Sequence, residues 1–411
     1  MRLEASGGAR HVGSRRSVLA VLAAVGVLAA ACSSGDEDAA DARGTGAAGD
    51  VAAAGDVVYP GDDWARTDPG EAGLDAAALD TMAASAEAAG STCLVVTKDG
   101  EIVDERYWGD GAADAPREAF SVTKSITSTL VGIAEDAGDL EVGQPAADHI
   151  PEWQDTPAAE VTIEALLSND SGRHWDLATD YGQLIGARDK NAFGIGLAQD
   201  APPGEVWAYN NSAIQTLSAV LEQATGESPQ DFAERELFEP TGMAHSEMTL
   251  DAAGNTVTFM GLQTTCLDLA RFGYLVLHEG EWDGEQVVSA DYVARATGRS
   301  STPLNAGYGW LFWLNRRGPL AGPVQATTGR PGGDVADGQL VPGAPEDAFW
   351  ALGFNDQVVA VVPSEGIVAV RMGAEPPADA PFGRNELTAG VLAAAGEPLA
   401  PASAAPPAAA G

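Results

Sequence analysis

Lysine is nearly absent from this chain. Its 411 residues contain three, Lys98, Lys124 and Lys190, among 22 basic residues in all. Basic residues are themselves outnumbered: 60 Asp and Glu leave a formal net charge of −38. Nucleic acid and anionic headgroups bind through basic patches, so neither fits as a partner. Acidity of this kind keeps a chain soluble and names no substrate. Histidine is also rare, with five in the chain and His149, His174, His245 and His278 beyond the amino-terminal segment. No HExxH and no CxxC occurs, so no metal or cofactor is expected. There is no Gly-x-Ser-x-Gly, and no histidine has an evident nucleophile partner, which removes an α/β-hydrolase triad. No internal repeat is visible. No apolar run reaches the about 20 residues that span a bilayer.

What is present begins with an export signature. Arg2, Arg10, Arg15 and Arg16 precede the apolar stretch "SVLAVLAAVGVLAAAC", which has the make-up of a signal-peptide core. "LAAAC" resembles a bacterial lipobox and "SRRSVL" a twin-arginine signal. Residues 1–31 therefore read as a signal peptide with Cys32 as the lipidation site. A plain secretory signal with an incidental Cys32 is the other reading. The expected location is the outer face of the cytoplasmic membrane, reached through a lipid on Cys32, or secretion. Residues 32–58 are poor in large apolar side chains and read as a disordered linker. Residues 397–411, "EPLAPASAAPPAAAG", read as a Pro/Ala tail. One folded domain over 59–396 remains. Its two cysteines, Cys93 and Cys266, either pair, as export permits, or stay as separate buried thiols.

Within that domain "LDAAALDTMAASAEAA" reads as a helix with Asp75 as N-cap. "TCLVVTKDGEIVDERYW" reads as a hairpin turning at Asp99-Gly100. "SVTKSITSTLVGIAEDAG" is a helix closed by Gly138, and "VTIEALLSNDSG" a short one ending at Gly172. Residues 173–203 look irregular. "NNSAIQTLSAVLEQATG" and "QTTCLDLARFGYLVLHEG" are further helices, and "EWDGEQVVS" a small hairpin. "FWALGFNDQVVAVVPSEGIVAVRMG" reads as two strands about a Pro-Ser-Glu-Gly turn, followed by the helix "RNELTAGVLAAAG". The fold expected is α/β (α+β): a sheet built from both chain ends, flanked by helices, with an all-helical insertion.

The scarce lysine marks the chemistry. Lys124 sits in the small, apolar run "AFSVTKSITSTL", three residues after Ser121, which puts both on one helix face. A serine hydroxyl is a weak nucleophile without a base beside it. A lysine becomes that base once desolvation lowers its pKa. Chance spacing with Lys124 reaching solvent is the alternative. Farther on, "WAYNNS" holds the chain's one Tyr-x-Asn, Tyr209 and Asn211. Tyr209 beside an ammonium could pass protons as a phenolate. Asn211 could donate to a substrate carbonyl and accept from Lys124.

Ser-x-x-Lys followed by Tyr-x-Asn resembles the serine β-lactamase and penicillin-binding-protein superfamily, over roughly residues 70–395. The Tyr form resembles its class C-like branch. "LLSNDSG" and "LDLARFGYLVLHEGEWDGEQVVS" are similar to segments of that branch. The resemblance implies a β-lactamase/transpeptidase-like fold and an acyl-enzyme on Ser121, with Lys124 and Tyr209 catalytic and Asn211 facing substrate. It implies an oxyanion hole from the N–H groups of Ser121 and Phe354. The branch's third motif, Lys-Thr-Gly or His-x-Gly, is here Ala351-Leu352-Gly353, which keeps the glycine alone. Groups that hold a substrate carboxylate are thus missing. The "G-x-x-x-Q" strand is similar to aminohexanoate-oligomer (nylon-oligomer) hydrolases and related esterases. By that likeness Tyr181 or Trp175 would close over substrate, and Asp176 or Asp180 would bind an amine. The expected partner is a small ester or amide; β-lactam or D-Ala-D-Ala cleavage is the alternative. A non-catalytic penicillin-recognising sensor is the alternative of another class, and the sequence leaves the oligomeric state open.

Overall fold

Alternation of polar and apolar residues is missing from "QVVAVV" and "IVAVRM", as it is from strands covered on both faces. In the computed structural model, which describes residues 57–327 and 336–399, these are the central strands of a six-stranded antiparallel sheet. Its strands are β1 (Ser91–Lys98), β2 (Glu101–Tyr107), β3 (Trp313–Leu314), β4 (Phe349–Gly353), β5 (Gln357–Val362) and β6 (Ile367–Gly373). They lie in the order β2-β1-β6-β5-β4-β3. The two chain ends meet where β1 pairs with β6, Val95 opposite Val370.

One face is covered by α1 (Ala76–Ala88) and the carboxyl-terminal helix Arg384–Ala394. Asp75 caps α1 through the Ala77 N–H, 2.8 Å away. The helix Cys266–Leu277, capped by Thr265, packs on the other face against β1, β5 and β6. Cys93 on β1 and Cys266 are disulfide-bonded, which decides between the two readings of those cysteines. The β1–β2 turn uses Asp99 and Gly100 with φ of 49° and 89°, the left-handed geometry of a tight hairpin.

The helical insertion between β2 and β3 holds α2 (Thr123–Ala137) and α3 (Asn211–Thr225), closed by Gly138 and Gly226 in left-handed conformation. It is not wholly helical. Arg117–Glu118 and Glu247–Met248 flank Leu262–Thr264 in a small ladder, and Trp207–Ala208 pairs with Ala326–Thr327. Three local expectations change. "VTIEALLSNDSG" is helical over Ile163–Leu167 alone, and Gly172 is a loop glycine. Residues 177–186 and 190–196, expected to be irregular, are helical. The carboxyl-terminal strand pair is three strands, because the chain breaks at Phe354–Asp356 between β4 and β5.

Cys32, the signal segment and most of the expected linker and tail lie outside the described residues. At the edges, Tyr274 Oη donates to the Val58 carbonyl at 2.8 Å. Leu399 packs on the core. No described helix is long and apolar enough to cross a membrane.

Candidate active site

Ser121 stands in a tight turn, Phe120–Val122, that runs straight into α2. Phe120 has φ of 49°, a left-handed conformation that costs a non-glycine residue about 1–3 kcal/mol. The turn is held against it. The Ala119 N–H donates to Leu262 O at 2.8 Å. Thr123 Oγ1 donates to Phe120 O at 2.6 Å and accepts from the Leu262 N–H at 3.0 Å. The result presents Ser121 to solvent at the base of a helix.

Lys124, one turn deeper, is 1% exposed. Its Nζ lies 2.9 Å from Ser121 Oγ and donates to the Phe259 carbonyl at 2.7 Å. Nζ also sits 4.6 Å from the centre of the Tyr209 ring. Burial dominates its titration and lowers its pKa to about 7, with the Asp180 carboxylate pulling the other way. The helix N-terminus adds a partial positive charge of the same sense. Burial pushes the Tyr209 phenol well above its ordinary range, with a hydrogen bond to Ser121 opposing. The phenolate suggested by the sequence is therefore disfavoured. Tyr209 stays protonated at neutral pH, and the amine is the group free to lose its proton.

Tyr209 is fixed from behind. Trp313 stacks on it at 5.6 Å and 28°, and Tyr308 meets it edge-on at 5.8 Å. Trp175 Nε1 donates to its carbonyl at 3.0 Å. Trp175 thus braces the Tyr209 backbone and does not line the cleft. Asn211 departs from expectation as well. Its Nδ2 donates to Asp180 Oδ2 at 2.8 Å, so it is spent inside the protein, and Lys124 takes the Phe259 carbonyl in its place. Asn211 Oδ1 is buried without a partner among the described residues.

Asp180 and Asp176 are not amine binders in the cleft. Asp180 is buried and accepts from Asn211 N, Ser212 N and Ser212 Oγ at 3.0, 2.8 and 2.9 Å. It caps α3, favoured there by the helix dipole. Asp176 caps its own turn and bonds His174.

Gly353 and Phe354 form the opposite wall. A Cβ on Gly353 would run into the Ala119 carbonyl oxygen, two residues before Ser121. Glycine lets β4 touch the turn that carries Ser121. Phe354 meets Phe120 edge-on at 5.7 Å. Beyond it, Asn355 and Asp356 both have positive φ, 61° and 56°. Two buried side chains hold this turn. Gln357 Nε2 donates to Phe354 O at 3.0 Å and Gly373 O at 2.8 Å. Arg371, fully buried, donates to Asn355 O at 2.6 Å and Asp356 O at 3.0 Å.

Ser121, Tyr209, Gly353 and Phe354 open into one cleft of about 880 Å³, with Tyr181, Trp313 and Arg384 also lining it. Tyr181 donates its hydroxyl to Pro323 O at 2.9 Å, strapping one rim to the other. Phe259, Trp313, Arg371 and Arg384 were missed in the sequence. The aromatic run "YGWLFWLN" was the one available signal, for Trp313.

A family model described as "Beta-lactamase" matches residues 74–392. Penicillin-binding protein 4 of Amycolatopsis lactamdurans is 36% identical over 150 residues, 34% of this chain and 39% of that protein. The 6-aminohexanoate-dimer hydrolase of Paenarthrobacter ureafaciens is 24% identical over 220 residues, 49% of this chain and 55% of that one. The chain thus spans about half the length, or less, of these two relatives. The crystal structure of a β-lactamase from Mycobacterium bovis superposes with a TM-score of 0.53 at 17% identity, covering 77% of this chain and 99% of that one.

Proposed function

Since the chain belongs to the beta-lactamase family, whose members are typically serine hydrolases, we propose that it cleaves esters or linear amides through an acyl-enzyme on Ser121. One observation carries this reading. A fully buried amine with a pKa of about 7 lies 2.9 Å from a partly exposed serine hydroxyl. Neutral Lys124 takes the Ser121 proton as Oγ attacks the carbonyl. The N–H groups of Ser121 and Phe354 receive the oxyanion. Tyr209, protonated, delivers a proton to the departing amine or alcohol and regains one from the Lys124 ammonium. Water then attacks the acyl carbonyl, giving its proton back through the same pair.

Support for esters and linear amides over β-lactams comes from the wall opposite Ser121. Ala351, Leu352 and Gly353 place no cation or hydroxyl on that strand, and the one cation in the cleft's described lining, Arg384, already donates to the Leu340 carbonyl at 3.3 Å.

The test is p-nitrophenyl ester turnover beside a chromogenic cephalosporin and a D-alanyl-D-alanine peptide. Wild type should turn over the ester, Ser121→Ala and Lys124→Arg should not, and kcat/KM should rise with pH through about 7 as the amine deprotonates. Equal turnover in Ser121→Ala removes the nucleophile. Preferred turnover of the cephalosporin or peptide replaces the substrate class. We also propose that Cys32 carries a lipid that tethers the enzyme outside the membrane. Radiolabelled palmitate should enter wild type in cells and leave Cys32→Ser unlabelled.

A further inference from the structure

Large apolar side chains exposed on a soluble surface mark places where something apolar binds when they cluster. Here they cluster at the cleft. Phe354 is 67% exposed and Val324 61% exposed, and both line the space in front of Ser121. Leu320, Pro323, Leu340 and Leu352 complete an apolar lining among the described residues. Tyr181, 42% exposed, reaches over from the facing rim to Pro323. Charged side chains reach the described lining from Asp356, Arg384 and Glu386 alone, and the Glu386 carboxylate already accepts the Gly383 N–H at 2.9 Å.

Structural economy does not explain this arrangement. Phe354 meets Phe120 at one edge and leaves most of its surface in water. Val324 sits in a turn on the rim. A ligand with an apolar chain would cover both. The cleft, at about 880 Å³, has room for a chain of several carbons beside the reacting carbonyl.

We infer that the substrate carries an apolar chain of medium length, as in a medium-chain fatty acyl ester or amide, laid between the Val324–Leu352–Phe354 wall and the Tyr181 strap. This rests on the serine-hydrolase reading and sharpens it. The chain contributes binding through desolvation, so selectivity should grow with each methylene until the wall is filled.

The experiment uses alkyl fluorophosphonates from ethyl to decyl. Ser121 Oγ displaces fluoride at phosphorus, and the rate of covalent labelling is read by intact mass. The second-order rate should rise by roughly two- to fourfold per methylene and then level off. In Val324→Asp and Leu352→Gln the ratio of octyl to ethyl rates should fall by roughly fivefold or more. Val324 is exposed, so its variant should keep the wild-type melting temperature. A flat or falling length profile in wild type, or an unchanged ratio in both variants, overturns the inference and leaves the nucleophile standing. No labelling of Ser121 at any length removes the nucleophile, and the inference with it.

Discussion

Burying the Lys124 amine costs stability, and the cost has a pH signature. Lys124 loses its proton near pH 7 in the fold and near 10.5 when unfolded. Between those values the unfolded chain binds the extra proton, so native stability rises with pH across that window. The penalty is fully present below pH about 7 and gone above about 10.5. Lys124→Met keeps much of the volume and removes the charge. It should melt higher than wild type at pH 7, with the gap closing by pH 10. A variant that melts lower at both values would mean that the orphaned Phe259 carbonyl outweighs the buried amine. Tyr209 carries a separate prediction. A p-nitrophenolate leaves without a proton, whereas an anilide amine needs one. Tyr209→Phe should therefore lose roughly 100-fold or more on an anilide and much less on a p-nitrophenyl ester. Equal losses on both would take Tyr209 out of leaving-group protonation.

At the scale of elements, the decisive piece is the break between β4 and β5. Phe354–Asp356 carries the proposed oxyanion N–H in a turn with two consecutive positive-φ residues. Such a turn keeps its shape only if its surroundings over-determine it. Gln357 and Arg371 do so from inside the core. Gln357→Leu preserves bulk and deletes the bonds to Phe354 O and Gly373 O. It should lower kcat by roughly tenfold or more, leave KM nearly unchanged, and destabilise by about 1–3 kcal/mol. A change confined to stability would make Gln357 a core residue with no bearing on the oxyanion. The same turn shows where sequence reading stops. Ser-x-x-Lys, lysine scarcity and Tyr-x-Asn pick out Ser121, Lys124 and Tyr209 in the sequence, and the structure brings the three together at one cleft. The hairpin at Asp99-Gly100, α2 and α3 were legible because caps and turns are local chemistry. The sequence reading runs a strand through the break at 354–356 although Asn355-Asp356 is a local turn signal; what the sequence does not show is that Arg371, from the next strand but one, holds this turn through the Asn355 and Asp356 carbonyls. Asp180 was misread for the same reason. Nothing near it in the chain says that its carboxylate meets the first turn of α3.

For the whole molecule, the joining of the two chain ends into one sheet is the feature on which everything else hangs. β1 comes from the start of the domain and β6 from its end, so pairing them closes a loop over most of the domain. The Cys93–Cys266 bond links that sheet to the helix Cys266–Leu277 across a sequence separation of 173. The helix leads directly from the strand Leu262–Thr264, which pairs with Arg117–Glu118 just ahead of Ser121. The bond therefore ties the central sheet to the support of the Ser121 turn. Closing so long a loop restricts the unfolded chain, and losing such a bond typically costs about 2–5 kcal/mol. Both cysteines are buried in apolar surroundings, so alanine at each position is tolerated without stranding a polar group. Cys93→Ala/Cys266→Ala should unfold at lower denaturant by that amount, with the slope of the transition raised by a more expanded unfolded state. Below its transition it should turn over ester at the wild-type rate, because the turn at Ser121 keeps its own bonds through Ala119, Thr123 and Leu262. A double variant as stable as wild type would show that the bond adds no constraint. One that is folded but inactive would show that the bond sets the geometry of Ser121 itself.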